Sequence, residues 1–161
     1  QLNNYENLKI KEAEYILGFT CIIDGKGISN GKVVDQKVAT IYTGKSDLAG
    51  RLGETPIIIE LKTRPEIPED FLEAQLYALG ASQLMKSETE IIVLHIYVSD
   101  NKAIVKERRF GASELESAKS KFEDISKKPA SWIPFDALSP NYNVGQWCEY
   151  CEFKNTCAES R

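Results

Sequence analysis

The chain has 161 residues, of which 42% are hydrophobic and 27% charged, a composition typical of one globular domain rather than a disordered or fibrous protein. The net charge of −4 at pH 7 excludes a uniformly basic nucleic-acid coat protein but allows an enzyme with a local basic track. No run approaches the roughly 18 apolar residues of a membrane span, so we expect no membrane association. Since the chain starts at Gln1, we expect a fragment of a longer protein that lacks an upstream element.

Strand signals dominate the first third of the chain. The apolar run 16–24 predicts a strand that closes at Asp24 and Gly25, and the loosely alternating residues 32–42 predict a second strand. Residues 43–54 are polar and rich in glycine, which predicts a loop. The sequence Pro-Ile-Ile-Ile-Glu-Leu-Lys-Thr at 56–63 is the clearest strand, and its apolar run predicts a buried central position in a sheet.

Helix and strand signals alternate after this central strand. Prolines and acidic residues before position 71 predict a helix over about 69–85, and residues 88–98 predict another strand. A turn at 99–102 leads to a hairpin partner over 103–110, an amphipathic helix over 113–127 and a proline-containing loop over 129–146. The order β-β-β-α-β-β-α predicts a single α/β domain over 1–161, or an α+β one, with a mixed sheet flanked by helices.

Charged side chains at the ends of apolar strands are the first candidates for chemistry. Because side chains alternate along a strand, Glu60 and Lys62 share one face at the end of the central strand, while Asp24 ends an earlier strand. Two carboxylates on neighbouring strands suit a hard divalent cation, and a nearby lysine can orient water or stabilise a phosphate. We therefore expect a phosphodiesterase site, the alternative being a solvated strand edge and an ordinary turn.

Two further polar residues stand on apolar faces. Gln75 falls within the apolar arc of the helix predicted over 69–85. There it either reaches over the strand to fix Lys62 or the nucleophilic water, or bonds a backbone group at the core margin. His95, the single histidine, lies within an apolar strand, where a hydrogen-bonded core histidine is the simpler interpretation.

Three of the four cysteines lie close together near the end of the chain. Cys148, Cys151 and Cys157 form a C-x2-C-x5-C pattern, whereas a disulfide framework would spread its cysteines through the domain. Clustered thiolates indicate soft-metal ligation in a reducing compartment, so we expect a cytoplasmic protein whose residues 146–161 form a cysteine-rich staple. A zinc site on these thiolates and an unmetallated structural tail are two interpretations of this pattern.

The order of these motifs resembles a known group of enzymes. Asp24, then Glu60-Leu61-Lys62, then Gln75-Leu76-Tyr77, then the three clustered cysteines are similar to RecB-like nucleases of the PD-(D/E)XK superfamily. The iron–sulfur branch, with the CRISPR-associated RecB-like exonucleases and the AddB nuclease domain, is the most similar. The resemblance implies a restriction-endonuclease-like core that hydrolyses DNA phosphodiester bonds with Mg²⁺ or Mn²⁺, as an exonuclease on single strands or ends.

The resemblance also implies individual roles. Asp24, Glu60 and the backbone carbonyl of Leu61 are expected to hold the catalytic metal, with Lys62 as the catalytic lysine. Gln75 is expected to be the glutamine of the following motif, although the family often places it four residues before a tyrosine, and here Glu73 has that spacing from Tyr77. An upstream His or Glu usually completes the metal site; Glu14 or Glu12 is the candidate here, unless that ligand precedes Gln1.

The same resemblance implies a [4Fe-4S] cluster on four thiolates. Cys21 is the available upstream partner for the three C-terminal cysteines, although a small buried cysteine in an apolar strand also serves as simple packing. DNA is the expected partner, with RNA left open, and further protein partners or a longer parent chain are expected as well. The alternative function is a non-catalytic nucleic-acid-binding or scaffolding module with the same fold.

Overall fold

The computed structural model describes residues 5–85, 90–99 and 102–130. Within these ranges the elements are β1 (Leu8–Ser29), β2 (Lys32–Leu52), β3 (Thr55–Lys62), α1 (Glu69–Met85), β4 (Ile91–Ser99), β5 (Lys102–Phe110) and α2 (Ala112–Ala130). The strands form one sheet in the order β1-β2-β3-β4-β5, in which β3 and β4 are parallel and the other neighbours antiparallel. The predicted mixed sheet with flanking helices is therefore confirmed.

Both helices lie on one face of the sheet. The core between α1 and the sheet contains Leu17, Ile58 and Val93 from three different strands. The core beneath α2 contains Phe19 and Cys21 of β1. The opposite sheet face carries its own apolar cluster, centred on the β3 and β4 side chains Ile57, Ile59, Ile92 and Leu94. The apolar runs of β3 and β4 are thus buried on both faces, as the sequence predicted for the central strand.

The first turn of α1 is fastened to the sheet through Asp70. Its carboxylate accepts hydrogen bonds from the Ile67 amide at 3.0 Å, from Arg64 at 2.6 and 3.0 Å, and from the Tyr97 hydroxyl at 3.0 Å. Burial alone would raise the pKa of this carboxyl, but these donors outweigh it and hold the pKa well below its usual range. An anion in this position also suits the positive end of the helix. The start of α1 is therefore fixed relative to β4.

Strand β2 is longer than predicted. Residues 43–52 belong to β2, so the prediction of a loop over 43–54 is wrong for all but its last two residues. Gly44 is required by close packing rather than by a turn, because a Cβ there would lie 2.8 Å from Cε1 of Tyr77. Strand β1 likewise continues past Asp24 to an Asn30-Gly31 turn with φ angles of 50° and 72°, the conformation favoured in two-residue hairpins.

Helix α1 approaches β1 closely at a second glycine. A Cβ on Gly80 would lie 2.9 Å from the backbone nitrogen of Gly18, so the two backbones meet with no side chain between them. This contact sets the height of α1 above the sheet and with it the reach of the α1 side chains.

Neither described helix combines the length and the apolarity that a membrane span requires. Helix α2 includes Pro129 and Ala130, which the sequence placed in a loop. The remainder of that predicted loop, the staple over 146–161 and the three clustered cysteines lie outside the described residues.

Candidate active site

Two carboxylates face each other where β2 and β3 separate. The strands pair from Leu52 and Thr55 as far as Leu48 and Ile59, and the next register step places Asp47 opposite Glu60. The Asp47 amide donates to Glu60 Oε2 at 3.2 Å, and the Leu61 amide donates to Asp47 Oδ2 at 2.7 Å. Each carboxylate therefore takes the place of a strand-to-strand hydrogen bond, which holds the two acids side by side.

Lys62 lies between two acidic groups. Its Nζ is 3.0 Å from Glu60 Oε1 on the same strand and 2.8 Å from Glu73 Oε2 on α1. Burial would lower the pKa of Lys62, but the hydrogen bonds to Glu73 and Glu60 outweigh it and the net pKa is raised. Lys62 is thus a fixed ammonium group that can donate hydrogen bonds and stabilise negative charge. We name Asp47, Glu60, Lys62 and Glu73 the carboxylate–lysine cluster.

Glu73 has a second hydrogen-bond partner, His95. Its Oε2 lies 3.2 Å from Nε2 of His95 on β4, in addition to its contacts with Lys62. Burial would raise the pKa of Glu73, whereas the His95 and Lys62 hydrogen bonds lower it by more, so the carboxyl is ionised at neutral pH. Glu73 thereby ties α1 to both parallel strands.

Tyr77 lies beside the cluster, one helical turn beyond Glu73 on α1. Its hydroxyl donates to the Lys45 carbonyl at 3.0 Å and so connects α1 to β2 just before Asp47. Burial raises the pKa of Tyr77, and the nearby carboxylates of Glu73 and Glu60 raise it further. The tyrosine is therefore a neutral hydrogen-bond donor beside a group of anions.

The cluster lies at the carboxyl ends of the parallel strands. Glu60 is in register with His95, and Lys62 with Tyr97. In α/β sheets this edge is the usual place for a ligand, because the chain leaves the sheet there and opens a crevice. Glu60 and Lys62 were predicted to share a face at this strand end, and their direct hydrogen bond confirms it.

Asp24 is not part of this site. It pairs with Lys37 in the β1–β2 register, and its carboxylate forms an exposed ion pair of 2.6 Å with that lysine. Lys37 precedes Asp47 by ten positions on β2, about 33 Å of extended strand. The prediction that Asp24 and Glu60 lie on adjacent strands and share a cation is therefore wrong, because β1 does not end at Asp24.

Gln75 does not reach Lys62. It is buried, and its Oε1 accepts a hydrogen bond of 3.4 Å from Lys121 on α2. Two residues correspond to about 200° around a helix, so Gln75 and Glu73 lie on opposite sides of α1. The prediction that Gln75 fixes the lysine is wrong, and Glu73, with the four-residue spacing to Tyr77, is the residue that contacts it.

The remaining predicted ligands have different surroundings. Glu14, with φ of 52°, lies at the β1 position opposite Asp47 and forms an exposed ion pair of 2.9 Å with Lys45. Cys21 is buried under α2, and this burial raises the pKa of its thiol. Its proposed partners Cys148, Cys151 and Cys157 are outside the described residues, so the role of Cys21 stays a prediction.

Asp47 and Glu73 are the residues that the sequence reasoning missed. A register argument finds Asp47: Gly53 and Glu54 form a two-residue turn, so Leu52 pairs with Thr55 and, five steps on, Asp47 with Glu60. For Glu73 the signal was its spacing from Tyr77.

The donor set of the cluster suits a hard cation. Among the described residues, no three His, Cys, Asp or Glu side chains converge on a single metal position. Asp47 and Glu60 with the carbonyl of Leu61 nevertheless supply oxygen donors alone. Mg²⁺ commonly binds through one or two carboxylates and keeps several waters, so this set fits Mg²⁺ or Mn²⁺ better than a softer metal.

An apolar groove of about 380 Å³ adjoins the cluster. Glu73 of the cluster and Tyr77 both line it. Its walls come from β2, α1 and α2, and the apolar and aromatic side chains among them are Tyr42, Leu72, Leu76, Phe122 and Ile125. Such a groove can accept a flat, weakly polar group beside the charged site.

The chain resembles the crystal structure of SSO0001 with a TM-score of 0.41 and 17% sequence identity, over 99% of this chain and 64% of SSO0001. The chain thus spans less than two thirds of the length of that protein. No protein-family model and no curated protein matches the chain.

Proposed function

We propose that the chain is a divalent-metal-dependent nuclease domain with a restriction-endonuclease-like core that hydrolyses phosphodiester bonds of DNA. The observation that carries the proposal is the side-by-side arrangement of Asp47 and Glu60 with the Lys62 ammonium 3.0 Å from Glu60. An acidic pair beside a fixed cation, at the carboxyl edge of parallel strands, provides what phosphodiester hydrolysis needs.

Each residue of the cluster has a distinct role in this proposal. Asp47, Glu60 and the Leu61 carbonyl would hold Mg²⁺ or Mn²⁺, which supplies an activated water and neutralises phosphate charge. Lys62 donates hydrogen bonds to the attacking water or to a phosphate oxygen, and its charge stabilises the pentavalent transition state. Because its pKa is raised, Lys62 acts as a cation and not as a general base.

The adjoining groove favours single strands or frayed ends as the substrate. A base within a duplex is stacked and paired, whereas an unstacked base can enter an apolar, aromatic-lined groove. Tyr42 and Tyr77 border this groove next to Glu73. We therefore infer exonuclease action on single-stranded DNA or DNA ends, and RNA serves as the comparison substrate.

A matched pair of variants tests the proposal. Wild-type protein, Asp47→Ala and Asp24→Ala are incubated with end-labelled single-stranded DNA and with RNA, in Mg²⁺, Mn²⁺ or EDTA. Both acids lie on the same hairpin and each has a basic or amide partner, but only Asp47 adjoins Glu60. We expect metal-dependent DNA cleavage that Asp47→Ala abolishes and Asp24→Ala leaves intact.

The outcomes separate the two classes of function. DNA binding without cleavage by the wild type in either metal would instead indicate the non-catalytic binding module. Cleavage that survives in both Asp47→Ala and Lys62→Ala would locate the chemistry elsewhere or in a contaminant.

For the cysteine-rich end of the chain we propose a structural [4Fe-4S] cluster on Cys148, Cys151 and Cys157, with Cys21 as the candidate fourth ligand and zinc as the alternative metal. The support is their C-x2-C-x5-C spacing. Four thiolates leave no open metal position for substrate, so such a cluster would stabilise the domain and not take part in hydrolysis.

A further inference from the structure

His95 is an unusual residue for its position. It is fully buried within β4, where its neighbours Leu94 and Ile96 are apolar, yet both of its ring nitrogens have polar partners. Arg108 Nη1 lies 2.8 Å from Nδ1, and Glu73 Oε2 lies 3.2 Å from Nε2. The ring therefore joins a guanidinium on β5 to a carboxylate on α1.

These partners determine the tautomer of the ring. A guanidinium has donors and no acceptor, so Arg108 must donate and Nδ1 must accept. The ring proton is then on Nε2, which donates to Glu73. The imidazole is neutral and directional: it takes a hydrogen bond from one side and gives one to the other.

Arg108, on the side of His95 away from Glu73, is itself held by an ion pair. Arg108 Nη2 pairs with Glu66 at 2.6 Å, and Glu66 pairs with Lys106 at 2.5 Å. The Arg108 side chain is 10% exposed, and therefore has little freedom to leave His95. The connection thus runs from the segment before α1, through β5 and β4, to Glu73.

On the other side of His95, Glu73 contacts Lys62. Its Nζ lies 3.0 Å from Glu73 Oε1 and 2.8 Å from Oε2, so it faces both oxygens, while the hydrogen bond from His95 engages Oε2. A glutamate side chain has three rotatable torsions, and the lysine contact alone does not fix its plane. The hydrogen bond from His95 to Oε2 is a second constraint, and together the two contacts fix the plane of the Glu73 carboxylate.

We propose that His95 is a positioning residue: it fixes the plane of the Glu73 carboxylate, which in turn fixes the Lys62 ammonium beside Glu60. Arg108 donates to Nδ1 and so keeps the ring proton on Nε2, from which His95 donates to Glu73. The proposal rests on the proposed nuclease function for its effect on rate, but its geometric part concerns Lys62 alone. In metal sites, hydrogen-bond partners outside the ligand shell fix the orientation of functional side chains in a comparable way.

A kinetic experiment tests the effect on catalysis. His95→Phe keeps the ring and removes both hydrogen bonds, whereas His95→Gln keeps one donor and one acceptor. We expect His95→Phe to lower kcat about 10- to 100-fold, the loss typical of outer-shell partners, with KM nearly unchanged. His95→Gln should recover most of that loss, provided that thermal unfolding shows each variant folded.

Adjacent arginines provide the matched control. Arg108 and Arg109 follow one another on β5, but Arg109 pairs with Glu90 and Glu107 and not with His95. Arg108→Ala should lower kcat, and Arg109→Ala should leave it unchanged. A rise in KM without loss of kcat in the Arg108 variant would indicate substrate contact instead and would overturn the positioning role.

A measurement without substrate separates this proposal from the proposed function. In ¹⁵N-labelled protein, the ring shifts of His95 should report a neutral Nε2–H tautomer, and the Lys62 ammonium protons should be protected from solvent exchange. His95→Phe should accelerate that exchange at least tenfold, while Arg109→Ala should not. Unchanged Lys62 protection in a folded His95→Phe protein would overturn the proposal. An inactive wild type that shows the expected Lys62 behaviour would overturn only the nuclease function.

Discussion

The Tyr97 hydroxyl on β4 donates a hydrogen bond of 3.0 Å to Asp70 Oδ2 in the first turn of α1. Asp70 is 2% exposed and also carries the Arg64 guanidinium and the Ile67 amide. Glu73 follows Asp70 by one helical turn, so the hydrogen bond that fixes the helix start also sets the height at which Glu73 meets Lys62. Stability and site geometry therefore depend on the same carboxylate.

Asp70→Ala should destabilise the domain. The change leaves Tyr97 and the Ile67 amide without their acceptor, and hydrogen bonds to charged groups contribute about 1.5–3 kcal/mol each. We expect a loss of about 2–4 kcal/mol in the free energy of unfolding, measured by urea denaturation. Asp124→Ala, which removes an exposed pair with Lys127, is the control and should cost less than about 1 kcal/mol. Equal losses in the two variants would contradict the buried role of Asp70.

The pH dependence of stability should report the same residue. The pKa of folded Asp70 is depressed, so the unfolded chain binds this proton more readily than the folded one. Its stabilising contribution is thus complete above the unfolded pKa of about 3.9 and is lost as the pH falls toward the folded pKa. Urea unfolding between pH 6 and pH 2 should show a steeper loss for the wild type than for Asp70→Asn. Parallel curves would contradict this assignment.

Metal binding should stabilise the folded protein. A cation that binds the folded chain alone raises Tm with concentration, by an amount that follows its dissociation constant. We expect Mn²⁺ to raise the Tm of the wild type and of Asp24→Asn, but not that of Asp47→Asn. Differential scanning calorimetry with and without EDTA measures this. An equal Tm shift in Asp47→Asn would place the cation outside the carboxylate–lysine cluster.

Gly44→Ala should disturb the position of Tyr77. The added Cβ would lie 2.8 Å from Tyr77 Cε1 and 3.0 Å from Leu76 Cδ2, and such overpacking costs about 1–3 kcal/mol. The displaced ring would weaken its 3.0 Å hydrogen bond to the Lys45 carbonyl. In a Tyr77→Ala background the same substitution should cost less, since the contacts with the Tyr77 ring are gone and only the one with Leu76 Cδ2 is left. A double-mutant cycle by urea unfolding that shows strict additivity would contradict this packing.

The cysteine-rich end makes a prediction about composition. Protein purified without oxygen should contain iron and acid-labile sulfide, with broad visible absorbance, and Cys151→Ser should lower Tm more than it lowers nuclease activity. Metal analysis decides the matter: stoichiometric zinc without iron would replace the cluster assignment with a zinc site.

Local patterning predicted most of the strands and helices, because apolar runs and helical periodicity depend on near neighbours. It failed over 43–52, where Gly44 is required by the packing of Tyr77, Gly50 by the close approach of the Lys9 backbone, and Asp47 belongs to the candidate site. Residues selected for a site break the patterns from which elements are predicted.

The candidate site was predicted in part for a related reason. Glu60 and Lys62 are neighbours on one strand, so alternation alone places them together. The contact between Asp47 and Glu60 depends on register, and that between Glu73 and Lys62 on how α1 crosses the sheet, which Gly18 and Gly80 determine. An apolar strand followed by an acid suggested Asp24, but a strand end is a property of pairing and not of composition.

Helix α1 contributes Asp70, Glu73 and Tyr77, which together bond strands β2, β3 and β4 of the sheet. In native-state hydrogen exchange, the amides of α1 and the assembled cluster should therefore open as one cooperative unit. Any fluctuation that lifts α1 releases Lys62 from Glu73, so the free energy of that opening sets the fraction of molecules whose lysine is in place. A ligand that bridges the Asp47–Glu60 pair and the α1 side chains would slow exchange along the whole helix, far from the atoms that it touches.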